Sequence, residues 1–231
     1  MRSSVSTGSR SDRASYGMDK KTLADLRRDY SSEPLLESAV SLDPFAQFAK
    51  WMDEAFASGE IDANAMTVST VDGDGHPSSR VVLLKGVDEG SFVFFTNYES
   101  KKAADLACNE NIFLHFFWPG LHRQISISGV AAKTSREESE EYFATRPRES
   151  QAGAWASAQS SVITSREELE ESFAEVQKRF DGQAIPCPPF WGGYRAMPSR
   201  FEFWQGRASR LHDRICYKLA DGEWQITRLA P

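Results

Sequence analysis

Five short runs between Ala65 and Lys133 are rich in β-branched and aromatic residues or alternate apolar with polar ones, and turn signals or a short helix separate them. They read AMTVSTVD, SSRVVLLKGV, SFVFFTN, IFLHFFW and RQISISGVAAK, with GDGHP, Asp88-Glu89-Gly90 and Pro119-Gly120 at the turns. Strands this short and closely spaced pair mostly as hairpins. Such hairpins close into a small β-barrel or a strongly curled antiparallel sheet, here with helices around it, an α+β arrangement. Three further strand candidates, SRFEFWQG, RLHDRICYKL and EWQITRL, end the chain. The β-α-β repetition of a doubly wound fold is missing, and so is any internal repeat.

Helices frame these strands. In LDPFAQFAKWMDEAFASG, Asp43 can cap, Pro44 suits the first helical position, and Phe45, Phe48, Met52 and Phe56 recur at helical spacing before Gly59. KKAADLACN predicts a helix capped near Ser100, and a short one is expected over Leu23–Tyr30. SREESEEYFATR and SREELEESFAEVQKRF each open on serine followed by acids, which suits a cap and the helix dipole. Pro147 disfavours helical geometry at Arg146, so that helix ends there and Ser150 begins another. AIPCPPFWGGY reads as an irregular connection.

Charge and composition exclude several functions. A formal net charge of −6 disfavours a general nucleic-acid binder, and no apolar run approaches the ~20 residues that span a bilayer. The 3 cysteines, odd in number and far apart, fit reduced thiols in a cytoplasmic protein. Residues 1–17 are Ser- and Arg-rich with no apolar stretch, so a flexible tail is expected there and one folded domain over 18–231. The 4 histidines show no metal-ligand spacing, so no metal site is expected. Walker A, G-x-G-x-x-G, H-E-x-x-H and G-x-S-x-G motifs are all missing.

Several stretches could carry chemistry. If SRLHDRI is extended, Arg210, His212 and Arg214 share one face and could hold an anionic, planar ligand; the plainer alternative is a solvated edge paired with acids such as Glu202. In SRVVLLKG, Arg80 and Lys85 fall on opposite faces of a straight strand, which would give each its own ligand or leave both reaching water. Thr96, Lys101 and Lys102 in FFTNYESKKAADL could form a phosphate cradle at a helix start, the plainer alternative being a solvated first turn. Lysines there oppose the helix dipole, and a bound anion would resolve the conflict. In YFATRPRESQAGAWASAQSS, Tyr142 and Arg146 share a helix face, and with Ser150 they can grip a phosphate dianion. Gln159 and Ser160 follow as uncharged donors.

Taken together these segments resemble the pyridoxine (pyridoxamine) 5′-phosphate oxidase family. FEFWQGRASRLHDR is similar to that family's signature. LRRDY, LDPFAQFAKWMDEA, RVVLLKG, FFTNYESKK, RQISISG, YFATRPRESQAGAWAS, WGGYR and the final RLAP resemble family segments in the same order, from Leu26 to Pro231. The resemblance implies an FMN-binding split barrel that works as a homodimer with FMN at the subunit interface. It implies oxidation of pyridoxine or pyridoxamine 5′-phosphate to pyridoxal 5′-phosphate, with O2 reduced to H2O2 and ammonia released from the amine. By motif position, Arg80, Val81, Val82, Leu83, Phe95 and Thr96 lie along FMN, and Lys101 and Lys102 supply charge to its phosphate. Gln124, Gln159, Ser160, Trp204 and Arg214 match further flavin contacts. Lys85, Tyr142, Arg146 and Ser150 match the substrate-phosphate clamp. Arg210 and His212 match the pair that holds the pyridine ring, and Arg27 and Tyr30 a segment that folds over the substrate.

The departures are few. Lys101 stands where arginine is usual, Ala152 where a larger aliphatic is common, and Ser126 and Ser128 make one strand unusually rich in hydroxyls. Two alternatives remain at this level, a split-barrel flavoenzyme with another substrate and a carrier that stores FMN or pyridoxal phosphate.

Overall fold

The computed structural model describes residue 30 and residues 32–231. Arg27, the expected tail over 1–17 and all but the last residue of the helix expected over Leu23–Tyr30 lie outside the described residues. Nine strands form one antiparallel sheet. They are β1 (Ala65–Val71), β2 (Pro77–Leu83), β3 (Gly86–Asp88), β4 (Ser91–Asn97), β5 (Asn111–Trp118), β6 (Arg123–Lys133), β7 (Trp191–Gln205), β8 (Asp213–Ala220) and β9 (Glu223–Arg228). The order is β2-β1-β5-β6-β7-β4-β3, with β8 also on β7 and β9 on β8.

The long β7 curls this sheet. Its first half pairs with β4 and its second half with β8, while β6 runs along nearly all of it. The sequence patterns place a strand only from Ser199, because Gly192-Gly193 and Pro198 obscure what precedes it. Pro198 sits opposite a register shift at Ser128/Gly129, where a bulge accommodates the missing N–H. At Gly193 a β-carbon would fall 2.7 Å from Thr134 and 2.9 Å from the Phe95 ring, so only glycine allows β7 this close.

The curl encloses an aromatic core. Phe92, Phe94, Phe116, Phe201, Phe203 and Tyr217 are all fully buried. Helix α1 (Pro44–Ser58) closes one side, with Asp43 accepting the Phe45 N–H at 3.0 Å as its cap. Phe48 meets Phe92 edge-on at 4.8 Å, and Trp51 meets Phe203 edge-on at 5.2 Å. The spacing placed Phe56 on this face, but it is 57% exposed and Trp51 takes the buried position.

The other helices are α2 (Lys101–Cys108), α3 (Arg136–Thr145), α4 (Arg148–Ala156) and α5 (Arg166–Arg179). Ser135 and Ser165 accept from Glu138 and Glu168 N–H groups, the caps expected of them. A second, smaller cluster of Phe143, Ala152, Phe180, Ile185 and Trp191 packs α3 and α4 against the start of β7. No helix among the described residues is long and apolar enough to cross a membrane.

Candidate active site

A cavity of about 900 Å³ opens between β2, β4, the start of α2 and helices α3 and α4. That is near the upper end of the roughly 300–1,000 Å³ typical of small-molecule sites. Five cations line it, Arg80, Lys85, Lys101, Lys102 and Arg146, with no aspartate or glutamate among its described lining residues. Such a wall is complementary to anions.

At one pole the cations are fixed by a network around Lys102. This lysine is only 6% exposed, and its ammonium donates to Thr96 Oγ1 at 2.9 Å, Ser100 Oγ at 3.2 Å and Gln159 Oε1 at 2.6 Å. It has no carboxylate partner among the described residues, and burial, with Arg80 nearby, lowers its pKa to about 8. Arg80 is aimed by hydroxyls. Nη1 donates to Thr70 Oγ1 at 2.8 Å and Nη2 to Ser78 Oγ at 2.7 Å. Both hydroxyls donate in turn to the buried Asp105, at 2.6 and 2.9 Å, and Lys101 reaches the same carboxylate at 3.1 Å.

Asp105 was not singled out from sequence, because only the fold brings it to Thr70 and Ser78. Asp105→Ala is expected to weaken binding of a phosphate-bearing ligand about tenfold, since Arg80 loses the acceptors' anchor. Titration against inorganic phosphate and a flavin phosphate checks this; unchanged affinity would mean that Arg80 holds its place unaided.

The other pole is aromatic and cationic. Phe95, Tyr142 and Trp191 stack nearly parallel, with Phe95–Tyr142 centroids 4.0 Å apart and Phe95–Trp191 centroids 5.5 Å apart. Arg146 lies over Trp191 at 4.7 Å, and its buried Nη1 has no hydrogen-bond partner among the described residues. A buried unpaired guanidinium N–H is costly unless a ligand satisfies it. Ser150 stands in the first turn of α4, facing the same cavity. Arg80 and Lys85, expected on opposite faces, both line this cavity. β2 ends at Leu83, and Lys85 N–H turns to bond Val93 of β4, so the straight-strand count does not apply.

The remaining candidates form a separate group outside the cavity lining. The Trp204 and His212 rings meet tilted, 4.6 Å apart, and Tyr30 lies 5.8 Å from His212 and 6.0 Å from Trp204. Phe117, Gln124, Trp204 and Arg214 occupy one register row across β5 to β8. Arg214 donates to Glu202 at 2.7 Å, so here the plainer reading of an arginine paired with an acid holds. The extended reading of residues 210–212 does not. Residues Ala208–Arg210 form a 3₁₀ turn, Ser209 and Arg210 take φ of 55° and 61°, and β8 begins only at Asp213. Arg210 is exposed and makes no hydrogen bond or ion pair among the described residues.

The sheet face that carries this row is continuous with Val81 and Leu83 at the cavity mouth. Val81 is 67%, Phe117 57% and Leu83 41% exposed on it. So much bare apolar surface marks an interaction face.

A family model described as pyridoxamine 5′-phosphate oxidase matches residues 52–180, and one described as pyridoxine 5′-phosphate oxidase C-terminal dimerisation region matches residues 191–231. A pyridoxine/pyridoxamine 5′-phosphate oxidase from Azotobacter vinelandii is 53% identical over 213 residues, 91% of this chain and 99% of that protein. One from Rubrobacter xylanophilus is 50% identical over 212 residues, covering 92% and 98%. Among solved structures, PhzG from Burkholderia lata in complex with tetrahydrophenazine-1-carboxylic acid has a TM-score of 0.82 at 29% identity, covering 87% of this chain and all of that one (100%). A pyridoxamine 5′-phosphate oxidase-related, FMN-binding protein from Nostoc punctiforme has a TM-score of 0.66 at 16% identity over 83% and 100%, and shares the fold.

Proposed function

Because the chain belongs to the pyridoxine/pyridoxamine 5′-phosphate oxidase family, we propose that it oxidises pyridoxine or pyridoxamine 5′-phosphate to pyridoxal 5′-phosphate with FMN as cofactor. The observation that carries this reading is the five-cation cavity with no carboxylate among its described lining residues and with two poles suited to two phosphates. The fit to FMN rests on the buried, carboxylate-free Lys102 and on the fixed fork of Arg80. The orphan Nη1 of Arg146 fits the second phosphate, that of the vitamer.

Bound FMN would supply the redox chemistry, a two-electron oxidation of the substrate carbon with O2 as final acceptor, reduced to H2O2; for the amine substrate, water would then be consumed and ammonia released. The chain supplies position. Arg80, Lys101 and Lys102 hold the flavin phosphate beside Thr96, Gln159 and Ser160, and Val81, Val82, Leu83 and Phe95 form the wall along it. Lys85, Tyr142, Arg146 and Ser150 grip the vitamer phosphate, while Arg210 and His212 hold the ring's oxygen substituent. Fixing the substrate at both ends turns binding into orientation.

The dimerisation region covers Trp204, Arg210, His212 and Arg214 and points to a homodimer. In this reading a second copy covers the apolar sheet face and brings those residues, with Gln124, to the cavity of its neighbour, so FMN lies at the subunit interface. Oxygen uptake with pyridoxine 5′-phosphate, against unphosphorylated pyridoxine, tests the assignment. The phosphorylated substrate is expected to be favoured about a hundredfold in kcat/KM. Equal rates would remove the Tyr142/Arg146/Ser150 clamp, and no uptake with any B6 phosphate would remove the activity.

A further inference from the structure

The loop that carries Arg210 and His212 is held from behind by a carboxylate with no part in the chemistry above. Asp213 is 16% exposed in its side chain and accepts from two directions. Oδ2 takes the Leu35 N–H at 3.0 Å, and Oδ1 takes an Arg228 guanidinium N–H at 2.7 Å. Arg207 Nε lies 3.5 Å from Oδ2. Arg228 also donates to the Leu35 carbonyl and to both Glu37 oxygens, each at 2.7–2.8 Å, and Arg207 donates to the Ser32 carbonyl. Asp213 therefore ties residues 32–37, the turn after β7 and the end of β9 to one point.

His212 is oriented by the same turn. The Arg207 backbone N–H donates to His212 Nδ1 at 3.1 Å. A ring nitrogen that accepts a hydrogen bond carries no proton, so the neutral ring keeps its proton on Nε2. Burial and the neighbouring Arg210 charge hold the ring below its usual pKa and so favour that neutral form, against the opposite pull of Asp213. The turn itself is unfavourable for L-residues, since Ser209 and Arg210 are both left-handed, and such a conformation persists only where its surroundings fix it. At its start Gly206 lies under Tyr30, where a β-carbon would come within 2.9 Å of the tyrosine ring.

We propose that Asp213 is a positioning residue, a latch that ties the Arg207–His212 turn to residues 32–37 and so presents His212 as the Nε2–H tautomer beside Arg210. This rests on the reading that Arg210 and His212 act on the vitamer ring. It assigns a task to a residue of the Arg-Leu-His-Asp-Arg run that the proposed function gives no contact with cofactor or substrate.

The test compares FMN-loaded Asp213→Ala, Asp213→Asn and His212→Gln proteins with wild type. Asp213→Ala is expected to lower kcat about a hundredfold, with FMN affinity and vitamer KM within about twofold, because the phosphate sites lie elsewhere. Asp213→Asn keeps an acceptor for Leu35 and is expected to lose about tenfold. ¹⁵N spectra of the imidazoles should show the Nε2–H form of His212 in wild type and a tautomer mixture in Asp213→Ala. Should the alanine variant not fold, the asparagine variant carries the comparison. A wild-type kcat and tautomer in a folded, FMN-loaded Asp213 variant would overturn the latch, as would a kcat loss that merely tracks FMN loss. If His212→Gln itself turns over at the wild-type rate, the underlying assignment of His212 fails instead.

Discussion

Lys102→Met is expected to weaken FMN binding about thirty- to a hundredfold while leaving the apoprotein's Tm at or above the wild-type value. The two effects have one cause. Lys102 holds a buried charge with hydroxyl and amide partners but no counter-ion among the described residues, and its pKa is lowered to about 8 chiefly by burial. In the apoprotein that charge is a cost, which methionine of similar shape removes. In the complex it becomes a charge-assisted contact to phosphate worth about 2–3 kcal/mol, the stated loss in affinity. Thr96 still donates to Gln159 at 3.1 Å without it, so no buried hydroxyl is stranded. The pH dependence has a definite sign. A bound dianion raises the lysine pKa, so below about pH 8 the free protein is already charged and affinity is flat with respect to this group. Above about pH 8 a proton must be taken up on binding, and affinity is expected to fall up to about tenfold per pH unit. Lys102→Met should abolish that slope. Fluorescence titration of FMN from pH 7 to 9.5 measures both quantities, and a destabilised apoprotein with unchanged affinity would make Lys102 a structural residue.

Arg210→Ala is expected to lower kcat about a hundredfold or more and to leave stability within about 0.5 kcal/mol of wild type. The side chain is exposed on a 3₁₀ turn and has no partner among the described residues, so the fold does not depend on it. An exposed arginine held at a φ of 61°, with no partner among the described residues, fits the proposed role of binding a ligand. The same geometry gives a sharper result. At an FMN concentration too low to load Lys102→Met, each variant alone is expected to have little activity, but in this reading a hybrid dimer of the two contains one site with both defects and one with none. Random pairing is then expected to restore about a quarter of wild-type activity. Recovery near zero, from hybrids shown to form, would place both residues in the same subunit's site. Wild-type turnover in an FMN-loaded Arg210→Ala protein would end its assigned role.

The cavity was legible because its residues come in contiguous pieces. Thr96 with Lys101-Lys102 lies at one strand end and helix start, Tyr142, Arg146 and Ser150 follow from helix spacing and Pro147, and Val81 to Leu83 and Phe95 came from the family resemblance. Helix caps at Asp43, Ser135 and Ser165 were legible for the same local reason. What escaped was long-range. Asp105 reaches Thr70 across 35 positions and Asp213 reaches Leu35 across 178, and no periodicity encodes either contact. Trp191 was hidden in a Pro- and Gly-rich run that reads as a loop but begins the longest strand. The Arg210–His212 turn was misread as extended because left-handed serine and arginine leave no mark in sequence. Nor could spacing tell Phe56 from Trp51, since both fall near the apolar stripe and only packing against Phe203 selects the tryptophan.

The most direct test of the account is the visible spectrum of the FMN-loaded protein, recorded without oxygen before and after pyridoxine 5′-phosphate is added. The account predicts flavin bands that bleach on addition and return when air is admitted. Bands that persist unchanged under excess substrate would contradict it, leaving a flavin protein that does not oxidise this vitamer.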